Sequence, residues 1–101
     1  MQLTDHFSLE ELIASETAAR LGIDNTPPAA LTSNLRALAE GLELVRTALG
    51  GRPIHINSGY RCSALNAKIG GAKNSLHMTG LAADIICPSF GPPLAVCRAQ
   101  R

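Results

Sequence analysis

Asp84 is the residue that most needs a chemical explanation. It lies in Leu81-Ala82-Ala83-Asp84-Ile85-Ile86, an apolar run that reads as a buried strand. An unpaired carboxylate there costs several kcal/mol or stays protonated, so a positive partner is expected beside it. An ion pair with a lysine or arginine meets that need. So does a metal ion. His77 stands seven residues earlier, in Ser75-Leu76-His77-Met78-Thr79-Gly80, and Gly80 and Ala82 keep the intervening turn small enough for the imidazole to return across the start of the strand. An imidazole nitrogen and a carboxylate oxygen then meet on one divalent ion at about 2.0–2.2 Å, the bond lengths zinc adopts. The H-x6-D spacing alone is common, and both readings stay open on it.

The remaining ligand-type side chains fall elsewhere. His55 alternates with Ile54 and Ile56, which puts it on the opposite strand face as a surface or groove histidine. His6 precedes the first helix cap and reads as exposed. Cys62, Cys87 and Cys97 are odd in number and lack C-x-x-C spacing, a pattern that implies reduced thiols in a cytoplasmic compartment. Cys87, three residues after Asp84, reads as a core thiol. Cys97 is expected on the apolar side of a final helix with Leu94, and no neighbour marks any of the three as reactive.

The elements that position these residues are legible from capping and periodicity. Ser8 with Glu11 forms a capping box, Phe7 stands where a staple residue would, and an apolar face begins at Leu9, which predicts a helix over 9–21 ended by Gly22. A loop containing Asn25, Pro27 and Pro28 leads to a second helix over 31–49. There Leu31, Leu35, Leu38, Leu42, Val45 and Leu49 make one stripe, read as core packing rather than a coiled-coil seam. Alternation predicts a strand over 53–58 with Ile54 and Ile56 inward. A short helix over 61–69, a turn at Gly70-Gly71, a strand over 81–86 and a last helix over 93–101 complete the expectation.

With 101 residues, 46% hydrophobic and only 3% aromatic, the chain predicts one domain with an aliphatic core. No apolar run approaches the ~18 residues of a membrane span, and the start lacks the regions of a secretion signal. Residues 1–43 carry seven acids against two arginines, whereas residues 44–101 carry seven basic residues against Asp84 alone. Without aromatic interleaving the basic half does not make a nucleic-acid surface.

Ser58-Gly59-Tyr60-Arg61, Asn66, Gly70-Gly71 and Ser75-x-His77-x-x-Gly80-x-Ala82-x-Asp84 follow in one collinear stretch. Together they resemble the signature of the zinc D-alanyl-D-alanine carboxypeptidase family, which includes bacterial cell-wall peptidases, D-Ala-D-Ala dipeptidases and phage endolysins and shares its fold with the Hedgehog signalling domain. The resemblance runs from about Phe7, where Phe-Ser-Leu-Glu-Glu-Leu is similar to the start of phage-type members, to the end of the chain. It implies a single α+β domain over 1–101 of Hedgehog/DD-peptidase type, with two N-terminal helices on a small antiparallel sheet.

The resemblance also implies roles. His77 and Asp84 become two of three protein ligands to zinc. Arg61 becomes the catalytic arginine facing the substrate carbonyl or terminal carboxylate, and Ser75 a serine that hydrogen-bonds substrate or the ligand shell. The residues by themselves also allow a salt bridge for Arg61 and a turn cap for Ser75. The implied activity is zinc-dependent hydrolysis of a peptide bond in peptidoglycan stem peptides, as carboxypeptidase or endolysin endopeptidase. The phage-like start adds the expectation of a lysis protein made in the cytoplasm and released by a separate pore.

One departure qualifies this. The family supplies a third ligand, His, preceded by an acidic general base, on a strand downstream of the second ligand, but residues 85–101 contain no His, Asp or Glu. The expectation is therefore a domain without its last strand, of low activity on its own. Its sheet edge would be exposed at Ile85 and Ile86 and open to self-association. The alternative is a non-catalytic cell-wall-binding or structural remnant of the family.

Overall fold

The computed structural model describes residues 1–97. The capping box forms as expected. The Glu11 N–H donates to the Ser8 hydroxyl at 3.2 Å and the Ser8 N–H donates to the Glu11 carboxylate at 3.0 Å, starting α1 (Leu9–Ile13). The single helix expected over 9–21 is instead two. Ala14 turns extended, and the Ser15 hydroxyl accepts from the Ala18 N–H at 3.1 Å to open α2 (Glu16–Leu21). A serine inside a helical pattern offers the backbone a competing local hydrogen bond, and a second N-cap contributes about 1 kcal/mol in its own right. Gly22, at φ 68°, closes α2.

A 3-10 turn (Ala29–Leu31) after Pro28 leads into α3 (Thr32–Ala48). Leu35, Leu38 and Leu42 are fully buried, and Leu31 and Val45 pack at the ends of the stripe, so it is core as expected. Against it lie Leu3, Phe7 and Leu12 from the N-terminal segment and Ala83 and Ile85 from the sheet.

The sheet has three antiparallel strands in the order β1 (His55–Ser58), β2 (Ala82–Ile86), β3 (Leu94–Cys97). Ile56 pairs with Ile85, and Ala83 with Val96, on the inner face. The outer face carries His55 opposite Ile86, then Ser58, Asp84 and Ala95 in one row, then Ala82 opposite Cys97. A bulge between Ile56 and Ser58 brings Ser58 into that row. The small helix α4 (Ser63–Lys68) follows β1.

Two expectations are corrected here. The final helix over 93–101 is a strand as far as the description reaches; residues 98–101 lie outside it. Half-buried Leu94 and Val96 alternate with exposed Ala95 and Cys97, a period of two. Pairing with β2 satisfies their backbone groups, whereas a two-turn helix is marginal on its own. Leu94 and Cys97 thus occupy opposite faces rather than one apolar side. The exposed edge expected at Ile85 and Ile86 is likewise absent, because β2 is the central strand and β3 covers that side. Among the described residues no helix is long and apolar enough to cross a membrane.

Candidate functional site

Asp84 does not sit in the apolar interior its neighbours suggested. Ala83 and Ile85 point into the core at 0% exposure, and the intervening Asp84 points out of the sheet with its side chain 50% exposed. No desolvated charge has to be rescued there. Its chemistry comes from what stands over it, the His77 ring. His77 is buried and lies in a 3-10 turn (Leu76–Thr79) that ends on Gly80 in the left-handed region, φ 75°. This is the compact return expected from Gly80, and it leaves His77 Nε2 at 3.4 Å from Asp84 Oδ2.

That gap is informative. A charge-assisted N–H to carboxylate hydrogen bond closes to about 2.7–2.9 Å, whereas two donors on one tetrahedral ion at about 2.0–2.1 Å stand roughly 3.3 Å apart. The other ring nitrogen explains why the gap stays open. His77 Nδ1 lies 2.7 Å from the Gly59 carbonyl oxygen, and a carbonyl can only accept. In the neutral ring Nδ1 therefore carries the proton, and Nε2 turns its lone pair toward Asp84. Gly59 is itself held: the Tyr60 N–H donates to the Leu12 carbonyl at 2.7 Å, and a Cβ on Gly59 would overlap that carbonyl oxygen. The end of α1 thus sets Gly59, and Gly59 sets the imidazole. The donor set fits a divalent ion through His77 and Asp84. Among the described residues no third His, Cys, Asp or Glu joins them.

Arg61 follows directly. Its backbone N–H donates to the His77 carbonyl at 3.0 Å, so the cation is tied to the turn that carries the imidazole. Among the described residues it forms no ion pair, and its buried Nε has no hydrogen-bond partner. Arg61 lines a cleft of about 520 Å³ with Ser15, Glu16, His55, Asn57 and Ser58. This lies within the range of small-ligand sites. His77 and Asp84 do not line the cleft. They adjoin it through Ser58, which pairs with Asp84 across the sheet, and through Arg61. His55 is a groove histidine, as its alternation suggested. His6 is exposed but engaged, with Nδ1 at 2.7 Å from Glu43.

Ser75 is a cap. Its hydroxyl accepts from the His77 N–H at 3.2 Å and so shapes the turn that presents the ligand. Asn66 closes the next turn by donating to the Ala72 carbonyl at 2.8 Å, with its amide packed where a Cβ on Gly71 would stand. Sequence reasoning missed Asn25, which it left in a loop. Buried at 8% exposure, Asn25 donates to the carbonyls of Ile13 and Tyr60 and accepts from the Cys62 N–H. No local signal marks it, because those partners are 12 to 37 residues away.

Comparison with known proteins places the chain in a family. A stretch of 50 residues is 46% identical to the zinc D-Ala-D-Ala carboxypeptidase of Streptomyces albus G, covering 50% of this chain and 20% of that protein. The chain therefore corresponds to only a fifth of that relative's length. The profile of the peptidase M15 family matches residues 5–101, nearly the whole chain, and the chain belongs to that family.

Proposed function

We propose that this chain carries a zinc-binding pair and a substrate anchor of a peptidase acting on D-Ala-D-Ala-ended stem peptides of peptidoglycan. The observation that carries the reading is the 3.4 Å gap between His77 Nε2 and Asp84 Oδ2, held open by the Gly59 carbonyl, near Arg61, whose buried Nε has no hydrogen-bond partner among the described residues. Zinc, when bound by His77 and Asp84, supplies Lewis-acid polarisation of the scissile carbonyl and lowers the pKa of water. Gly59 and Ser75 orient the imidazole. Arg61 binds the terminal carboxylate of the peptide or the developing negative charge on the carbonyl, which a planar guanidinium suits. The cleft beside Arg61 receives the rest of the peptide. An endolysin-type endopeptidase of phage origin uses the same groups, with the scissile bond inside the peptide rather than at its end.

Among the described residues no third His, Cys, Asp or Glu groups with the pair, while Glu16 and His55 line the cleft beside Arg61. A general base contributes ~10² to 10⁴ in rate, so a site without one releases product slowly. The two-membered ligand set among the described residues favours a second reading, a cell-wall-binding module that keeps the recognition half of the site. Self-association would use the outer edge of β1 or β3, since β2 is central.

The test is calorimetric titration of N-acetyl-D-alanyl-D-alanine into the chain with and without zinc, alongside an assay for D-alanine and new amino termini released from peptidoglycan. Zinc-dependent peptide binding, weakened roughly tenfold or more in Arg61→Ala, is expected together with slow release. Peptide binding indifferent to both zinc and Arg61 removes the proposal.

A further inference from the structure

We propose that Asn25 is a positioning residue for Arg61, clamping the backbone on both sides of the arginine so that its guanidinium is preset for the carboxylate of the substrate. This rests on the peptide-binding role given to Arg61 above. The Asn25 amide donates to the Tyr60 carbonyl at 3.0 Å and accepts from the Cys62 N–H at 2.8 Å. Those are the backbone groups immediately before and after Arg61. Its second N–H donates to the Ile13 carbonyl at 2.8 Å, at the end of α1. Both amide N–H donors and one of the two carbonyl lone pairs of Asn25 are used.

The clamp has a further side. Arg61's own N–H is held by the His77 carbonyl, and Tyr60's N–H by the Leu12 carbonyl. The peptide groups from Tyr60 to Cys62 are therefore anchored to α1, to the 24–26 loop and to the histidine turn together. Arginine loses much conformational freedom when it binds, and presetting its backbone reduces what remains to be lost. Among the described residues the buried Nε of Arg61 has no hydrogen-bond partner. A structural residue would stabilise the fold as a whole. A positioning residue acts through Arg61, and the two are separable.

The experiment is a double-mutant cycle with Asn25→Ala and Arg61→Ala, reading zinc affinity and, on the zinc-loaded chain, affinity for N-acetyl-D-alanyl-D-alanine. Asn25→Ala is expected to weaken dipeptide binding about tenfold, leave zinc affinity within about twofold, and add nothing once Arg61 is already alanine. Asn25→Asp keeps the acceptor for Cys62 but opposes two carbonyls, and it reports on the clamp if the alanine variant folds poorly. Additive losses, or zinc affinity falling in step, overturn the proposal. Hydrogen exchange at the Arg61 Nε–H keeps it decidable if Arg61→Ala leaves dipeptide binding unchanged, which would sink the functional reading instead. Exchange about tenfold faster in the Asn25 variants supports the clamp; unchanged exchange refutes it.

Discussion

Two histidines in this chain face a carboxylate, and the two pairs are built in opposite ways. His6 Nδ1 closes to 2.7 Å on Glu43 Oε1, while the His6 backbone N–H donates to the other carboxylate oxygen at 2.8 Å. His77 Nε2 stops at 3.4 Å from Asp84 Oδ2. The His6 ring has no other partner for Nδ1, so a proton sits between nitrogen and carboxylate and the contact shortens. In His77 the Gly59 carbonyl claims the proton at Nδ1, and in the neutral ring the nitrogen facing Asp84 has only a lone pair to offer. Two acceptors facing one another leave a space the size of an ion. One backbone carbonyl thus separates a closed ion pair from the open pair proposed to bind metal.

The largest effect that sharpens this contrast is on metal affinity. His77→Ala and Asp84→Ala are each expected to weaken zinc binding by about 100-fold or more, because each removes one of two protein ligands. His6→Ala and Glu43→Gln are expected to change it less than about twofold. Competition against a zinc-chelating fluorophore measures all four. Equal sensitivity at the two pairs would show that zinc binds wherever a histidine meets an acid, and the distinction would fail.

Next in size is the carbonyl that makes the difference. Gly59→Ala drives a Cβ into the Leu12 carbonyl oxygen, a backbone group that cannot rotate away. It should destabilise the fold by about 2–4 kcal/mol in urea unfolding. In the fraction that folds, the His77 ring loses its fixed tautomer and orientation, and zinc affinity should fall about 10–100-fold, the usual scale for partners of a ligand histidine. Unaltered zinc affinity in a folded Gly59→Ala protein would mean that the carbonyl is not what holds the pair open.

How much of this was legible before the structure depends on where the determining contacts lie. The Ser8 capping box, the leucine stripe of α3 and the Gly80 turn are local, and residue types within a few positions of one another dictate them. The His77–Asp84 pair was also accessible, because Gly80 and Ala82 restrict the route between the two. Four features were not. The break at Ser15 turns on a competition between a helix bond and a cap bond of similar energy. The strand at Leu94–Cys97 is chosen by the edge of β2 it finds, since its four residues carry no decisive periodicity. The outward turn of Asp84 follows from the alternation of Ala83 and Ile85, which small apolar neighbours obscured by suggesting burial on both faces. Asn25 lies furthest from reach, because all its partners are distant in sequence.

The smallest effect concerns the closed pair and its response to acid. Burial raises the Glu43 carboxyl, but hydrogen bonds from the His6 ring and the His6 N–H outweigh it and leave the group below the ordinary glutamate range. A carboxylate depressed in the folded state contributes stability that is complete above its unfolded value and is lost as pH falls through its folded value. In metal-free protein, stability should therefore decline on the acid side, with Glu43 accounting for roughly 0.5–1.5 kcal/mol of it. Glu43→Gln should lower stability near neutrality by about that amount and flatten the decline. Glu10, held down by hydrogen bonding to the N-terminal ammonium, and Asp24, held down by Thr26, supply the slope that survives. Urea midpoints at a series of pH values, taken with a chelator so that His77 and Asp84 carry no metal, measure the difference. If Glu43→Gln keeps the full acid slope, the short contact to His6 is not sustained in solution. The two histidines would then differ in burial alone, not in which nitrogen holds the proton.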